Sequence, residues 1–229
     1  MKKIVDITLD FETCALTPTA AVMSMGAVAW NRHAADTPFF MSEDGISVDS
    51  IFSRHVDLRS EFVEGFAFDQ ATADWWRCQP QAAKKAVNES DPDAECVSIT
   101  TAAEELVDFI LETKEQAHAD NVCLWSQGSD FDLAILRHIC YKMFIVLPVD
   151  YRQFRDHRTF YLETAAMFYD TFKGEYPHTA EDLYDLVEQY DEEGGSPHEP
   201  IYDCKRSIFA TWQMMKRMRE VKANIKDNA

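Results

Sequence analysis

The 229-residue sequence predicts an α/β protein built on a mixed sheet flanked by helices. Three observations carry that prediction. Strand-like apolar patterns joined by short connections fill the first 42 residues. Helix, strand and helix alternate after residue 100. No apolar run approaches the roughly 20 residues needed to cross a bilayer, so no membrane partner is expected. A hydrophobic content of 46% and an aromatic content of 12% are those of a globular chain. The length suits one substantial core, so residues 1–222 read as a single domain and 223–229 as a flexible tail.

The elements follow in chain order. In KKIVDITLDFET, Val5, Ile7 and Leu9 alternate with Asp6, Thr8 and Asp10, the period of a strand. AAVMSMGAVAW (20–30) and PFFMS (38–42) continue as second and third strands of an antiparallel meander. Residues 43–68 show no clear period and read as a loop or insertion. DQATADWWRCQ and QAAKKAVNE, separated by Pro80, read as two short helices. TTAAEELVDFILETKEQ is a helix with Thr101 and Glu104 as a capping box. VCLW (122–125) is a short buried strand, FDLAILRHICYKM a helix, and HRTFYLET a further strand. AEDLYDLVEQY (180–190) and the run from Asp203 to about Lys222 are the last two helices.

A formal charge of −18 argues against a protein that coats long duplexes through a broad basic surface. It leaves room for a local cleft that grips a few nucleotides. Met1-Lys2-Lys3 is basic, but Asp6 and Asp10 interrupt the apolar region that a secretion signal needs. The six cysteines are scattered, with no C-x-x-C pair. Reduced thiols and a cytoplasmic location follow as expectations.

The chemistry rests on three short stretches. Asp10 and Glu12, in TLDFETCA, stand two apart on a strand and so share a face. Phe11 between them points to the core and orients the strand. Carboxylates at the end of a core strand are costly unless they are paired or bind a cation, and oxygen-only ligands suit Mg²⁺ or Mn²⁺. In WSQGSDFDLAIL, Asp130 has the position of a helix cap and Asp132 lies in the first turn. Local physics does not choose between them. In SPHEPIYDCKRSI, His198 sits on a loop five residues before Asp203, which opens a helix. A histidine beside an acid there is a general-base candidate.

D-x-E ending the first strand, F-D opening a central helix and H-x-x-x-x-D opening a late helix together resemble the DEDDh exonucleases. The resemblance spans roughly residues 4–215. It implies an RNase H-like fold whose five-stranded mixed sheet combines an antiparallel meander with parallel strands. ATADWWRCQPQAAKKA (71–86) and QFRDHRT (153–159) further resemble the exonuclease A group of T-even phages and related small bacterial 3′–5′ exoribonucleases. Aligning on F-D makes Asp132 the third acid.

The resemblance implies that Asp10, Glu12, Asp132 and Asp203 hold two Mg²⁺ or Mn²⁺ ions, with His198 as general base. Nucleoside 5′-monophosphates would leave the 3′ end of single-stranded DNA or RNA, the two being equal at this point. Phe11, Thr13, Trp76 and Arg158 are the expected substrate contacts. Trp75 competes with Trp76 for the stacking role, and a structural ion pair competes for Arg158. Lys205 and Arg206 read as surface residues. A homodimer is compatible with the resemblance. The competing reading is a proofreading or processing subunit that acts mainly by docking to a larger complex. A catalytically dead relative fits poorly, because all five groups are kept.

Overall fold

The computed structural model describes residues 3–87, 95–168, 190 and 195–227. Its central strand, β1 (Ile4–Thr13), pairs antiparallel with β2 (Val22–Trp30) and parallel with β7 (Asn121–Ser126). Beyond β2 lie β5 (Ile51–Val56) and the two-residue β6 (Cys96–Val97); beyond β7 lies β8 (Phe154–Asp156). The order is β6-β5-β2-β1-β7-β8, six strands where the sequence led to five. A separate hairpin joins β3 (Met41–Ser42) to β4 (Gly45–Ile46).

The third meander strand is therefore β5, within the stretch expected to be a loop, and not the 38–42 segment. That stretch also holds the helix α1 (Leu58–Glu64), capped by Asp57 and closed by Gly65 in the left-handed region. α2 (Gln70–Cys78) and α3 (Gln81–Ala86) match the two short helices expected. α4 (Ile99–Gln116) starts earlier than the expected capping box, because Ser98 accepts the Thr101 N–H and is the real cap. α5 (Asp132–Lys142) follows β7. HRTFYLET, expected as a strand, is the start of α6 (His157–Phe168). The final helix, α7 (Pro200–Asp227), runs through the expected tail. The helix expected at 180–190 lies outside the described residues apart from Tyr190.

β1 is covered on both faces, and its alternation sorts two kinds of core. Val5, Ile7, Leu9 and Phe11 pack with Leu106, Ile110, Leu133 and Leu136 of α4 and α5. The other face carries Asp6, Thr8, Asp10 and Glu12, and α7 lies across it with Cys204, Ile208 and Trp212 beside Trp30 and Trp125.

The first two of these polar residues are answered by protein groups. Asp6 accepts from Arg32 Nε at 2.8 Å and from Trp125 Nε1 at 2.8 Å. Thr8 Oγ1 pairs with His157 Nε2 at 2.9 Å, and His157 Nδ1 pairs with Thr211 Oγ1 at 2.7 Å. The His157 ring stacks on Trp125. The α6 helix is thus tied to β1 and α7 through one buried imidazole, which is how tertiary packing overrides the strand-like residues Phe160 and Tyr161.

Burial holds His157 neutral, with its pKa pushed down to about 3. The unfolded chain therefore binds a proton that the folded chain refuses once pH falls below about 6.5. The stability of the neutral imidazole is present above that pH and is lost on acidification toward pH 3. Between pH 7 and pH 5 the wild type should lose about 2 kcal/mol more stability than His157→Gln, read by denaturant unfolding at each pH.

Candidate active site

The site forms where the polar face of β1 runs out from under α7. Asp10 lies opposite Gly26 of β2 in the strand register. A Cβ at position 26 would lie 2.5 Å from Pro200 Cβ, so only glycine lets the first turn of α7 approach the sheet this closely. That approach brings Asp203 to Asp10 and Glu12. Pro200 supplies a pre-set first helical residue.

Asp132 arrives from the opposite side. β7 ends in a turn in which Gly128 takes φ 119° and Phe131 N–H donates to its carbonyl. Phe131 then packs on the core, and Asp132 is buried with Oδ1 accepting the Phe11 N–H at 3.0 Å. Asp130 is exposed and forms no side-chain cap, so the two acids left level by the sequence occupy different environments.

His198 completes the group. Its backbone sits in the left-handed region, φ 68°, and its N–H donates to Asp203 Oδ2 at 2.7 Å. Its Nδ1 lies 3.9 Å from Glu12 Oε1. Donor atoms of Glu12, His198 and Asp203 all fall within 4.8 Å of one another, the span of a cation site.

The acids share a strong resistance to ionisation. Withdrawal from water raises Asp10 well above the usual range, and the charges of Asp132, Glu12 and Asp203 raise it further. Burial, then Asp203 and Asp132, pushes Glu12 up to about 8. Burial pushes Asp132 to about 7 despite the Phe11 N–H and the positive charge of Arg158. Asp203 is also raised by burial, though the His198 N–H and Arg206 pull it back. Clustered carboxylates of this kind want cationic charge among them, and an all-oxygen set beside one imidazole suits a hard divalent ion.

A mostly apolar cavity of about 370 Å³ opens next to Glu12. Phe11, Thr13, Leu16, Trp75, Trp76 and Phe131 line it, with Asp69, Ala71 and Thr72. The adjacent tryptophans differ. Trp76 is 9% exposed and its Nε1 donates to the Thr13 carbonyl at 3.1 Å, whereas Trp75 is 45% exposed. Thr13 Oγ1 donates to the Ala15 carbonyl. Arg158 is exposed and does not line the cavity, although its charge reaches Asp132. Lys205, expected at the surface, is 6% exposed, because its position on α7 is turned inward.

A model of the 3′–5′ exoribonuclease Rv2179c-like domain matches residues 5–205. The chain belongs to this family. The Rv2179c-like match includes the D-x-E strand, the F-D helix start, His198 and Asp203. The fold is RNase H-like. The chain is similar to the nuclease domain of 3′hExo, a DEDDh family member solved bound to rAMP. The TM-score is 0.55 at 13% identity, over 94% of this chain and 93% of that one. It is also similar to cell-death related nuclease 4 (CRN-4), with a TM-score of 0.52 at 14% identity over 95% of this chain. The chain spans 64% of the length of CRN-4. No curated protein sequence matches it.

Sequence reasoning missed Gly26 in this Rv2179c-like site. The signal was present: a lone glycine inside an apolar strand marks a close backbone approach. Gly26→Ala should push α7 off β2, costing about 1–3 kcal/mol in denaturant unfolding. It should lower activity as Asp203 moves away. Wild-type stability together with wild-type activity would contradict this account of the junction.

Proposed function

We propose that this exonuclease removes nucleoside 5′-monophosphates stepwise from the 3′ end of single-stranded nucleic acid, with RNA as the preferred substrate. The observation that carries the reading is the convergence of Asp10, Glu12, Asp132 and Asp203 at the open end of β1, with His198 against Glu12. The family's description as exoribonucleases favours RNA over DNA.

Asp10, Glu12, Asp132 and Asp203 would hold two Mg²⁺ or Mn²⁺ ions. When bound, such ions supply the positive charge that acidifies an attacking water and stabilises the leaving 3′-oxygen. The chain's own groups do the rest. The Phe11 and His198 N–H groups fix one oxygen each of Asp132 and Asp203, and the other oxygen of Asp203 lies 3.5 Å from Arg206 Nη1.

His198 takes the proton of the attacking water. Its side chain is 37% exposed, so the proton passes on to solvent. The cavity beside Glu12 receives the terminal base against Phe11 and the tryptophans, which orients the scissile phosphate toward the carboxylates. Arg158, whose charge is felt at Asp132, contacts a substrate phosphate. Among the described residues no helix is long and apolar enough to cross a membrane.

The test is degradation of 3′- and 5′-labelled RNA and DNA oligomers with Mg²⁺ or Mn²⁺. Asp10→Ala and Asp132→Ala should lose nearly all turnover, while Asp130→Ala keeps most of it. Activity that survives EDTA or the loss of Asp10 would sink the reading. His198→Ala should lower turnover by about 10²–10⁴-fold while cation binding, followed by calorimetry, persists. Collapse of cation affinity in that variant would make His198 a ligand and not a base.

A further inference from the structure

We infer that Trp75 is a positioning residue that couples occupancy of the base cavity to the placement of His198, so that the terminal base contributes to turnover and not only to binding. The inference rests on the nuclease reading above and adds a role for a residue outside the reacting group.

Trp75 is the half-exposed member of the tryptophan pair, and it has two neighbours of different kinds. One side lines the cavity beside Glu12. The other meets the His198 ring edge-to-face, with centroids 4.9 Å apart and planes at 87°. Trp76 is farther from His198, at 6.0 Å, and is pinned by its hydrogen bond to the Thr13 carbonyl. Trp76 is therefore a fixed wall, against which Trp75 packs at 5.0 Å.

His198 needs such a support. It stands on a loop, in the left-handed backbone region that non-glycine residues rarely adopt, and its N–H is committed to Asp203. Its imidazole is 3.9 Å from Glu12, too long for a hydrogen bond, so among the described residues ring packing restrains its orientation. An edge-to-face aromatic contact is directional enough to do this. The exposed side of Trp75 is meanwhile free to take a heteroaromatic ring. A base stacked there holds the indole in place, and the indole in turn holds the imidazole. An empty cavity leaves both rings less restrained.

The step affected is the hydrolysis already described: water adds to phosphorus and gives a proton to His198, the P–O3′ bond breaks, and the leaving 3′-oxygen takes a proton from solvent. The inference adds no reactant. It predicts that a substrate able to bind but lacking a terminal base is cut slowly.

The experiment compares wild type, Trp75→Phe and Trp75→Ala under single-turnover conditions at saturating enzyme. Two RNA oligomers of equal length are used, one ordinary and one whose 3′-terminal ribose carries hydrogen in place of the base. On the ordinary oligomer, Trp75→Ala should be at least tenfold slower than wild type even at saturation, and Trp75→Phe should recover most of the rate. On the base-free oligomer, the wild type should fall to near the Trp75→Ala rate, and Trp75→Ala should lose less than threefold more.

A saturating rate in Trp75→Ala within twofold of wild type, with only weaker binding, would overturn the coupling and leave a plain stacking wall. So would equal base-free penalties in wild type and Trp75→Ala. The wild-type comparison of the two oligomers needs no variant to fold. A wild type inactive on the ordinary oligomer would instead overturn the nuclease reading, and this inference with it.

Discussion

Four carboxylates drawn out of water in one cleft repel one another, and each neighbouring element of the fold answers that repulsion in its own way. β1 sets up the problem by placing Asp6, Thr8, Asp10 and Glu12 on one face, with Asp10 half-buried and the other three buried. Arg32, Trp125 and His157 answer the first two residues from within the protein. The last two meet further carboxylates, and burial first, then those neighbouring charges, raises the pKa values of Asp10 and Glu12. One strand thus carries both a satisfied polar core and a site that calls for charge from outside. The difference lies only in how far α7 extends over it.

Holding such a cluster together requires rigid supports, and these are backbone features. The Phe11 N–H fixes Asp132, the His198 N–H fixes Asp203, and the absence of a Cβ at Gly26 sets the closeness of α7. None of these supports is a charged partner. A neutral N–H orients a carboxylate without neutralising it, whereas Arg206, 3.5 Å from Asp203 Oδ1, offsets part of that acid's charge. The apolar cavity adjoins Glu12 directly, so under the proposed function base recognition and the reacting centre share the short stretch Phe11 to Thr13. Trp75, in the wall of that cavity, meets the His198 ring at 4.9 Å.

Much of this was legible in the sequence where local pattern and tertiary role agree. The alternation of β1 follows from its period, whereas the F-D helix start and the spacing from His198 to Asp203 drew their meaning from the resemblance to the DEDDh exonucleases. What was not legible depends on contacts between distant segments. β5 was hidden because its polar residues Ser53, Arg54 and His55 mask the alternation of Phe52 and Val56, and Arg54 pairs with Glu105 of α4. α6 was hidden because its aromatic residues favour strands locally, and the His157 contacts with Thr8 and Thr211 decide otherwise. Local physics left Asp130 and Asp132 level and the family resemblance pointed to Asp132; the turn at Gly128 leaves Asp130 exposed and Asp132 buried.

The central claim is that the carboxylate cluster destabilises the cation-free protein and is offset by bound divalent ions. Melting temperatures of wild type and Asp10→Asn, each in EDTA and in excess Mn²⁺, test it most directly. Ligands that bind only the folded state raise its stability. In EDTA, Asp10→Asn should melt higher than wild type, because a carboxyl whose ionisation the site opposes is gone. In Mn²⁺ the order should invert, with a large rise for wild type and little for the variant. A wild type that is the more stable in EDTA, or that gains nothing from Mn²⁺, would contradict the account.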